Sequence, residues 1–138
     1  MNQSGECLCG AVEFAAGFAS ANITACHCDM CQRWSSAPYM SAHSKTFEIT
    51  KGADQVIRYR SSDWAERGFC GHCGTHLFYH LLPAKAHMVA VGCLKDQDML
   101  RFTKQIFVDQ KSPAYAFENK TEMLTKADVM ARVGGSDS

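Results

Sequence analysis

The sequence predicts a mainly β, single-domain fold with a short helix near its C-terminus. Short alternating or β-branched runs recur along the chain, polar or glycine-containing breaks separate them, and helical signals occur only from Ser112 onward. The 138 residues are of the usual size for one domain, and a hydrophobic content of 46% is enough to bury a core. We therefore expect one domain over residues 1–133, followed by a flexible tail at 134–138.

Strands are predicted along most of the chain. The segment Glu6–Ala15 alternates, which indicates a strand with Cys7 and Cys9 on one face. Further short strands are predicted at residues 22–25, 39–42, 46–50, 55–60, 75–79, 88–91 and 105–108. The run Thr125-Lys126-Ala127-Asp128 resembles a capping box, so a helix is expected from about Lys126 to Val133, ending at Gly134.

Charge and composition argue against several classes of function. Fourteen basic and fourteen acidic residues give a formal charge of zero, with no run of five like charges, so no nucleic-acid partner is expected. The N-terminus lacks the pattern of a signal peptide, and no apolar stretch approaches the roughly 18 residues of a membrane span. We expect a cytoplasmic protein without a membrane partner, in which eight cysteines indicate metal ligation or thiol chemistry rather than disulfides.

Four cysteines predict a closed structural zinc site. Cys70-Gly71-His72-Cys73-Gly74 is a Cys-x-x-Cys knuckle, in which a tight turn points two thiolates at one ion. The most economical second half is Cys7-Leu8-Cys9, whose two thiols a local bulge could draw together. A redox pair is the alternative reading of Cys70 and Cys73, but no βαβ pattern surrounds them and two other cysteine clusters need an explanation.

Three further cysteines, Cys26, Cys28 and Cys31, predict a second zinc site with an open position. Three protein ligands without a fourth are typical of a catalytic zinc. The alternative is a second structural site closed by a protein group, for which the candidates are His27, His43, His72 and Asp29. We expect His27 to point away and to orient or hydrogen-bond a sulfur. Cys93 lies in an apolar context and is interpreted as a small buried hydrophobe.

An open zinc with three thiolate ligands suits thiol chemistry. Three anionic ligands weaken the ion as a Lewis acid but leave it able to hold a soft sulfur. A metal-held thiol has a lowered pKa and remains a thiolate nucleophile. The sequence therefore predicts a small thiol substrate at Cys26, Cys28 and Cys31, which we assign the catalytic role.

Three cysteine motifs occur together in order and resemble those of a known family. They are Gly5-x-Cys7-x-Cys9-Gly10, Cys26-His27-Cys28-x-Met30-Cys31 and Gly68-Phe69-Cys70-x-x-Cys73-Gly74-Thr75. The chain resembles the glutathione-dependent formaldehyde-activating enzyme family, which also includes centromere protein V. The similarity continues through the segments 59–67, 92–94 and 106–109 and so covers nearly the whole chain.

This resemblance implies a β-tent of small antiparallel sheets stapled by zinc. It implies a structural zinc on Cys7, Cys9, Cys70 and Cys73, and a second zinc on Cys26, Cys28 and Cys31. The implied activity is that of a carbon-sulfur lyase, which joins glutathione and formaldehyde as S-hydroxymethylglutathione. The chain departs from the family pattern at Gln32, where arginine is common, and at Ser36-Ala37, where a glycine pair is common.

The resemblance also suggests how a substrate could be bound. Glutathione carries two carboxylates, and Arg33 and Arg67 lie close in sequence to two of the cysteine motifs. Trp34 could line the same pocket, although aromatic residues near such motifs usually pack the core. The alternative function is a non-enzymatic zinc scaffold that binds a protein partner with the same fold.

Overall fold

A computed structural model describes residues 1–132, and it confirms a mainly β fold with a short C-terminal helix. The helices are α1 (Asp29–Ser35) and α2 (Lys126–Arg132). The strands of this part of the chain are β1 (Asn2–Glu6), β2 (Glu13–Cys26), β3 (Tyr39–Lys51), β4 (Val56–Arg60), β5 (Ala65–Cys70), β6 (His76–Leu81), β7 (Ala86–Ala90), β8 (Arg101–Ile106) and β9 (Glu122–Leu124).

The chain divides into two compact units, the first of which comprises residues 1–21 and 41–99. In this first unit β4, β5, β6, β7 and β3 lie side by side in that order with antiparallel pairing, and β1 pairs with β2. Its core includes Phe14 and Phe78, whose rings both lie 5.1 Å from that of Phe47. This antiparallel sheet matches the pairing that was expected for the whole chain.

The second unit comprises residues 22–40 and the chain from Leu100 onward. Here the end of β2 pairs in parallel with β8, and β8 pairs in parallel with β9. Parallel strands need a long connection, and here more than seventy residues separate Cys26 from Arg101. The alternation of apolar and polar residues within each strand does not reveal which distant strands pair. A small core of Phe107, Leu124 and Val129 packs against Cys26 and Cys28, which ties two of the predicted ligands to the fold.

Two predictions about the N-terminal third were wrong. The expected strand Glu6–Ala15 is interrupted, because β1 ends at Glu6, the chain turns, and β2 begins at Glu13. Helix α1 was not expected at all. It begins after Cys28, whose side chain caps the helix by accepting a hydrogen bond from the Cys31 backbone nitrogen at 3.3 Å.

Other predictions concern the ends and the organisation of the chain. Helix α2 matches the expected position from Lys126, but its predicted end at Val133 and the tail 134–138 lie outside the described residues. The single domain over residues 1–133 stays a prediction. Within residues 1–132, no helix is long and apolar enough to cross a membrane.

Candidate metal centres

Four sulfur atoms of the first unit form the four-cysteine cluster: those of Cys7, Cys9, Cys70 and Cys73. All four lie within 4.8 Å of one another. The Sγ atom of Cys9 is 3.6 Å from that of Cys7 and 3.9 Å from that of Cys70. A tetrahedral zinc with Zn–S bonds near 2.3 Å separates its sulfurs by about 3.8 Å, so this donor set fits one zinc ion.

Two similar turns bring these sulfurs together. In the first, the backbone nitrogen of Gly10 donates to the Cys7 carbonyl at 3.1 Å, and in the second Gly74 donates to the Cys70 carbonyl at 2.7 Å. Gly10 and Gly74 adopt φ angles of 79° and 81°, which glycine adopts without a steric penalty. The Cys7 motif is therefore a knuckle like that of Cys70, which explains why the predicted strand is interrupted here.

Hydrogen bonds from the surrounding chain orient the sulfurs. The backbone nitrogen of Val12 donates to Cys7 Sγ at 3.3 Å, and that of Cys73 donates to Cys70 Sγ at 3.4 Å. The hydroxyl of Thr75 lies 3.1 Å from Cys73 Sγ and also accepts a bond from the Leu8 nitrogen at 3.0 Å. Hydrogen bonding by the Thr75 hydroxyl and backbone lowers the pKa of Cys73 to about 5, which favours the thiolate that a metal requires.

Cys93 is the eighth cysteine and matches its interpretation as a buried hydrophobe. It is 8% exposed, and its thiol donates to the His76 carbonyl at 3.4 Å. Burial raises the pKa of Cys93 to about 11, so the thiol stays protonated at neutral pH. It does not belong to either cysteine cluster of the described residues.

Three sulfur atoms of the second unit form the three-cysteine cluster: those of Cys26, Cys28 and Cys31. Cys26 ends β2, Cys28 caps α1, and Cys31 lies in the first turn of that helix. Their Sγ atoms lie within 4.8 Å of one another, and over residues 1–132 no fourth His, Cys, Asp or Glu ligand atom joins the group. Hydrogen bonding to the Cys28 and Cys31 thiols raises the pKa of Cys26, and burial adds to this shift. Holding all three groups as thiolates would therefore require a nearby cation.

His27 lies between two cysteines of this cluster and is fully buried. Its ring reaches Tyr115 Oη through Nδ1 at 3.1 Å and Gln105 Oε1 through Nε2 at 2.8 Å. It therefore points away from the sulfurs, as expected. Both ring nitrogens have other partners, so a hydrogen bond from the ring to a sulfur is excluded, and the alternative role of orienting a sulfur stays a prediction.

The predicted substrate-binding residues lie in different places. Arg33 is exposed on the last turn of α1, and Trp34 is half-buried with its ring 5.3 Å from that of Tyr39. Both belong to the second unit, on the helix that carries Cys31. Arg67 belongs to the first unit, where it is 2% exposed and its guanidinium lies 4.9 Å from the Tyr79 ring centroid. The Arg67 side chain is therefore buried rather than solvated.

Sequence reasoning missed several residues that surround the two clusters. Thr75 was recognised only as part of a cysteine motif. No role near the clusters was predicted for four other residues: Gln32, Gln105, Gln110 and Tyr115. Gln105 alone carries a sequence signal, because it is a polar residue within a predicted strand, and it is 3% exposed. Gln32 lies on α1, which was not predicted, and the others lie outside the strands and helices α1 and α2, where the pattern of residues does not predict the path of the chain.

Comparisons with known proteins identify the family of this chain. The family model of the glutathione-dependent formaldehyde-activating enzyme matches residues 2–110. An uncharacterised lyase of Schizosaccharomyces pombe is 32% identical over 130 residues, which are 94% of this chain and 95% of that protein. A solved structure of a Rhodobacter sphaeroides protein covers 74% of this chain and 98% of its own, with a TM-score of 0.62 and 23% identity, and so supports the fold alone. The chain therefore belongs to the glutathione-dependent formaldehyde-activating enzyme family.

Proposed function

We propose that the chain is a zinc-dependent carbon-sulfur lyase that makes or breaks the adduct of a thiol with a small aldehyde. Membership of the family and the lyase-named relative support an enzyme of this class. The observation that carries the proposal is the three-cysteine cluster, in which three sulfurs converge without a fourth protein ligand in the described chain. Glutathione and formaldehyde are the candidate substrates that the family name supplies.

In this proposal the two clusters have different roles. The four-cysteine cluster holds a closed structural zinc, whereas Cys26, Cys28 and Cys31 hold a second zinc that leaves one position for substrate. A zinc ion bound there would supply a site for the thiol sulfur and favour its thiolate form. The chain contributes three charged ligands that keep the site soft and selective for sulfur.

The proposed reaction balances without a further reactant. The thiol sulfur forms a bond to the aldehyde carbon, the carbonyl π bond breaks, and the thiol proton moves to the former carbonyl oxygen. The reverse reaction releases the thiol and the aldehyde. Arg33 and Trp34, on the helix that carries Cys31, and the buried Arg67 remain the proposed substrate-binding residues, with the arginines as candidates for carboxylate binding.

The test combines metal analysis with thiol binding. Protein purified without chelators should contain two zinc ions per chain and should bind glutathione in calorimetry. Cys28→Ser should keep a folded protein with one zinc and lose the thiol-dependent heat, because it removes one of only three ligands. Cys73→Ser should unfold the protein, because it removes one ligand of the closed structural site.

Each outcome separates this proposal from the scaffold alternative. Two zinc ions, glutathione binding that Cys28→Ser abolishes, and turnover of formaldehyde with glutathione would support the enzyme. Two zinc ions without a response to any thiol would support a non-enzymatic scaffold that binds a protein partner. Equal damage from Cys28→Ser and Cys73→Ser would mean that the three-cysteine cluster is structural.

A further inference from the structure

All the polar groups of His27, which separates Cys26 from Cys28, are held by hydrogen bonds. Its backbone nitrogen donates to the Ile106 carbonyl at 3.0 Å, and its carbonyl accepts from Gln32 Nε2 at 2.6 Å. Its two ring nitrogens bond to Tyr115 and Gln105, as described above. The backbone between the two sulfurs therefore has little freedom to move.

The Gln32 side chain makes two of the hydrogen bonds that fix this segment. Its Nε2 group donates to the His27 carbonyl and, at 2.7 Å, to the Gln110 carbonyl. The Gln110 side chain returns a bond, because its Oε1 atom accepts from the Asp29 nitrogen at 3.0 Å. Gln32 follows Cys31, and Asp29 follows Cys28. The side chains of Gln32 and Gln110 therefore connect both sides of the three-cysteine cluster to the short 3₁₀ helix Val108–Gln110.

We propose that Gln32 is a positioning residue that pre-organises Cys26, Cys28 and Cys31 for the second metal ion. This inference rests on the proposed function, because it takes the three cysteines as metal ligands. The sulfurs already lie within 4.8 Å of one another, so metal binding requires little reordering of the chain. Groups that hold the ligands of a metal commonly change its affinity by about 10- to 100-fold when they are removed.

The same geometry restricts what Gln32 can do for a substrate. A glutamine amide has two N–H donors, and both donors of Gln32 point to backbone carbonyls. The residue next to the third ligand therefore serves the protein and offers no donor to a carboxylate of the thiol. Such a carboxylate must be bound by another group, for which Arg33 is the neighbouring candidate.

The same change from glutamine to glutamate should have different effects at two positions of this network. Gln32→Glu replaces the donor with an oxygen that faces two carbonyl oxygens, so both hydrogen bonds are lost. Gln110→Glu adds the same charge nearby but keeps an oxygen that can accept from the Asp29 nitrogen. Gln32→Met removes the donor without adding a charge, and it keeps the test valid if Gln32→Glu does not fold.

The measurement is the affinity of the second zinc ion, obtained by competition with a chromophoric chelator. We expect it to fall about 10- to 100-fold in Gln32→Glu and Gln32→Met and to stay near the wild-type value in Gln110→Glu. The absorption bands of Co²⁺ bound at the three-cysteine cluster should shift in the same two variants. The thermal midpoint of unfolding and the retention of zinc at the four-cysteine cluster show whether each variant is folded, independently of its affinity for the second zinc ion.

The outcomes distinguish this inference from the proposed function. A wild-type protein with two zinc ions and unchanged second-site affinity in the Gln32 variants would overturn the positioning role alone. Equal losses in Gln32→Glu and Gln110→Glu would also overturn it, because the added charge would then explain the effect. A wild-type protein that binds a single zinc ion would overturn both.

Discussion

At the scale of single residues, Thr75 connects the two halves of the four-cysteine cluster. Its hydroxyl contacts Cys73 Sγ and accepts from the Leu8 nitrogen, so one side chain touches both knuckles. Thr75→Val keeps the shape of the side chain and removes both bonds. We expect the free energy of unfolding to fall by about 1 to 3 kcal/mol, because a bond to a thiolate is lost and a backbone donor loses its partner.

Urea unfolding of the zinc-loaded protein measures this change. Thr75→Ser is the matched control, because it keeps the hydroxyl and should retain most of the stability. A loss of stability in Thr75→Ser without a loss in Thr75→Val would show that the methyl group of threonine, rather than its hydroxyl, is what stabilises the site.

His87 is a residue whose charge should make stability depend on pH. Its ring stacks between Phe47, at 4.5 Å, and His80, at 4.0 Å. Burial, together with the charges of His80 and Arg58, lowers the pKa of His87 to about 4, while Glu66 opposes the shift. The folded protein therefore binds fewer protons here than the unfolded chain, whose histidine pKa is about 6.5. This contribution is complete above pH 6.5 and is lost as the pH falls towards 4.

His87→Phe should therefore flatten the dependence of the free energy of unfolding on pH. Because the ring is partly exposed, we expect the wild-type protein to lose about 1 to 2 kcal/mol more than the variant between pH 6.5 and 4. Urea unfolding at several pH values measures both curves. Protonation of the cysteines affects both proteins equally, so parallel curves would show that His87 does not titrate in this range.

At the scale of elements, helix α1 places one ligand and ends in a strained conformation. Ser36 follows the helix with φ at 66°, and its nitrogen donates to the Gln32 carbonyl at 2.7 Å. A non-glycine residue in the left-handed region costs roughly 1 kcal/mol. We expect Ser36→Gly to raise the free energy of unfolding by about 0.5 to 1 kcal/mol. Ser35→Gly, inside the helix, should lower it by a similar amount, and a loss in both variants would contradict this account.

The elements also show how far the sequence can predict this protein. Both clusters were predicted, because the spacing of cysteines carries information about metal ligation that does not depend on the rest of the fold. Helix α1 was missed because its cap is a cysteine, Cys28, which is not one of the usual capping residues. The short strand β9 and its parallel pairing were missed because both depend on contacts between distant segments.

At the scale of the whole molecule, each cysteine cluster lies within one of the two compact units. The four-cysteine cluster belongs to the first unit and joins segments that are about sixty residues apart, since Cys9 and Cys70 differ by 61 positions. The three-cysteine cluster belongs to the second unit and spans only a short segment. A metal that closes a long loop restricts the unfolded chain more than one that closes a short loop. Loss of the ion at the four-cysteine cluster should therefore affect folding more strongly than loss of the ion at the three-cysteine cluster.

Removal of metal should therefore occur in two steps with different consequences. When a chelator is added in increasing concentration to the two-zinc protein, we expect one equivalent to be released first, with little change in circular dichroism, because three thiolates hold an ion less tightly than four. The second equivalent should leave together with cooperative loss of β structure, because the ion of the four-cysteine cluster contributes to folding. Cys28→Ser is the matched control, which should lack the first step and keep the second. A single step, in which both equivalents leave as the protein unfolds, would show that the two sites are coupled and that the three-cysteine cluster is as much a part of the fold as the other.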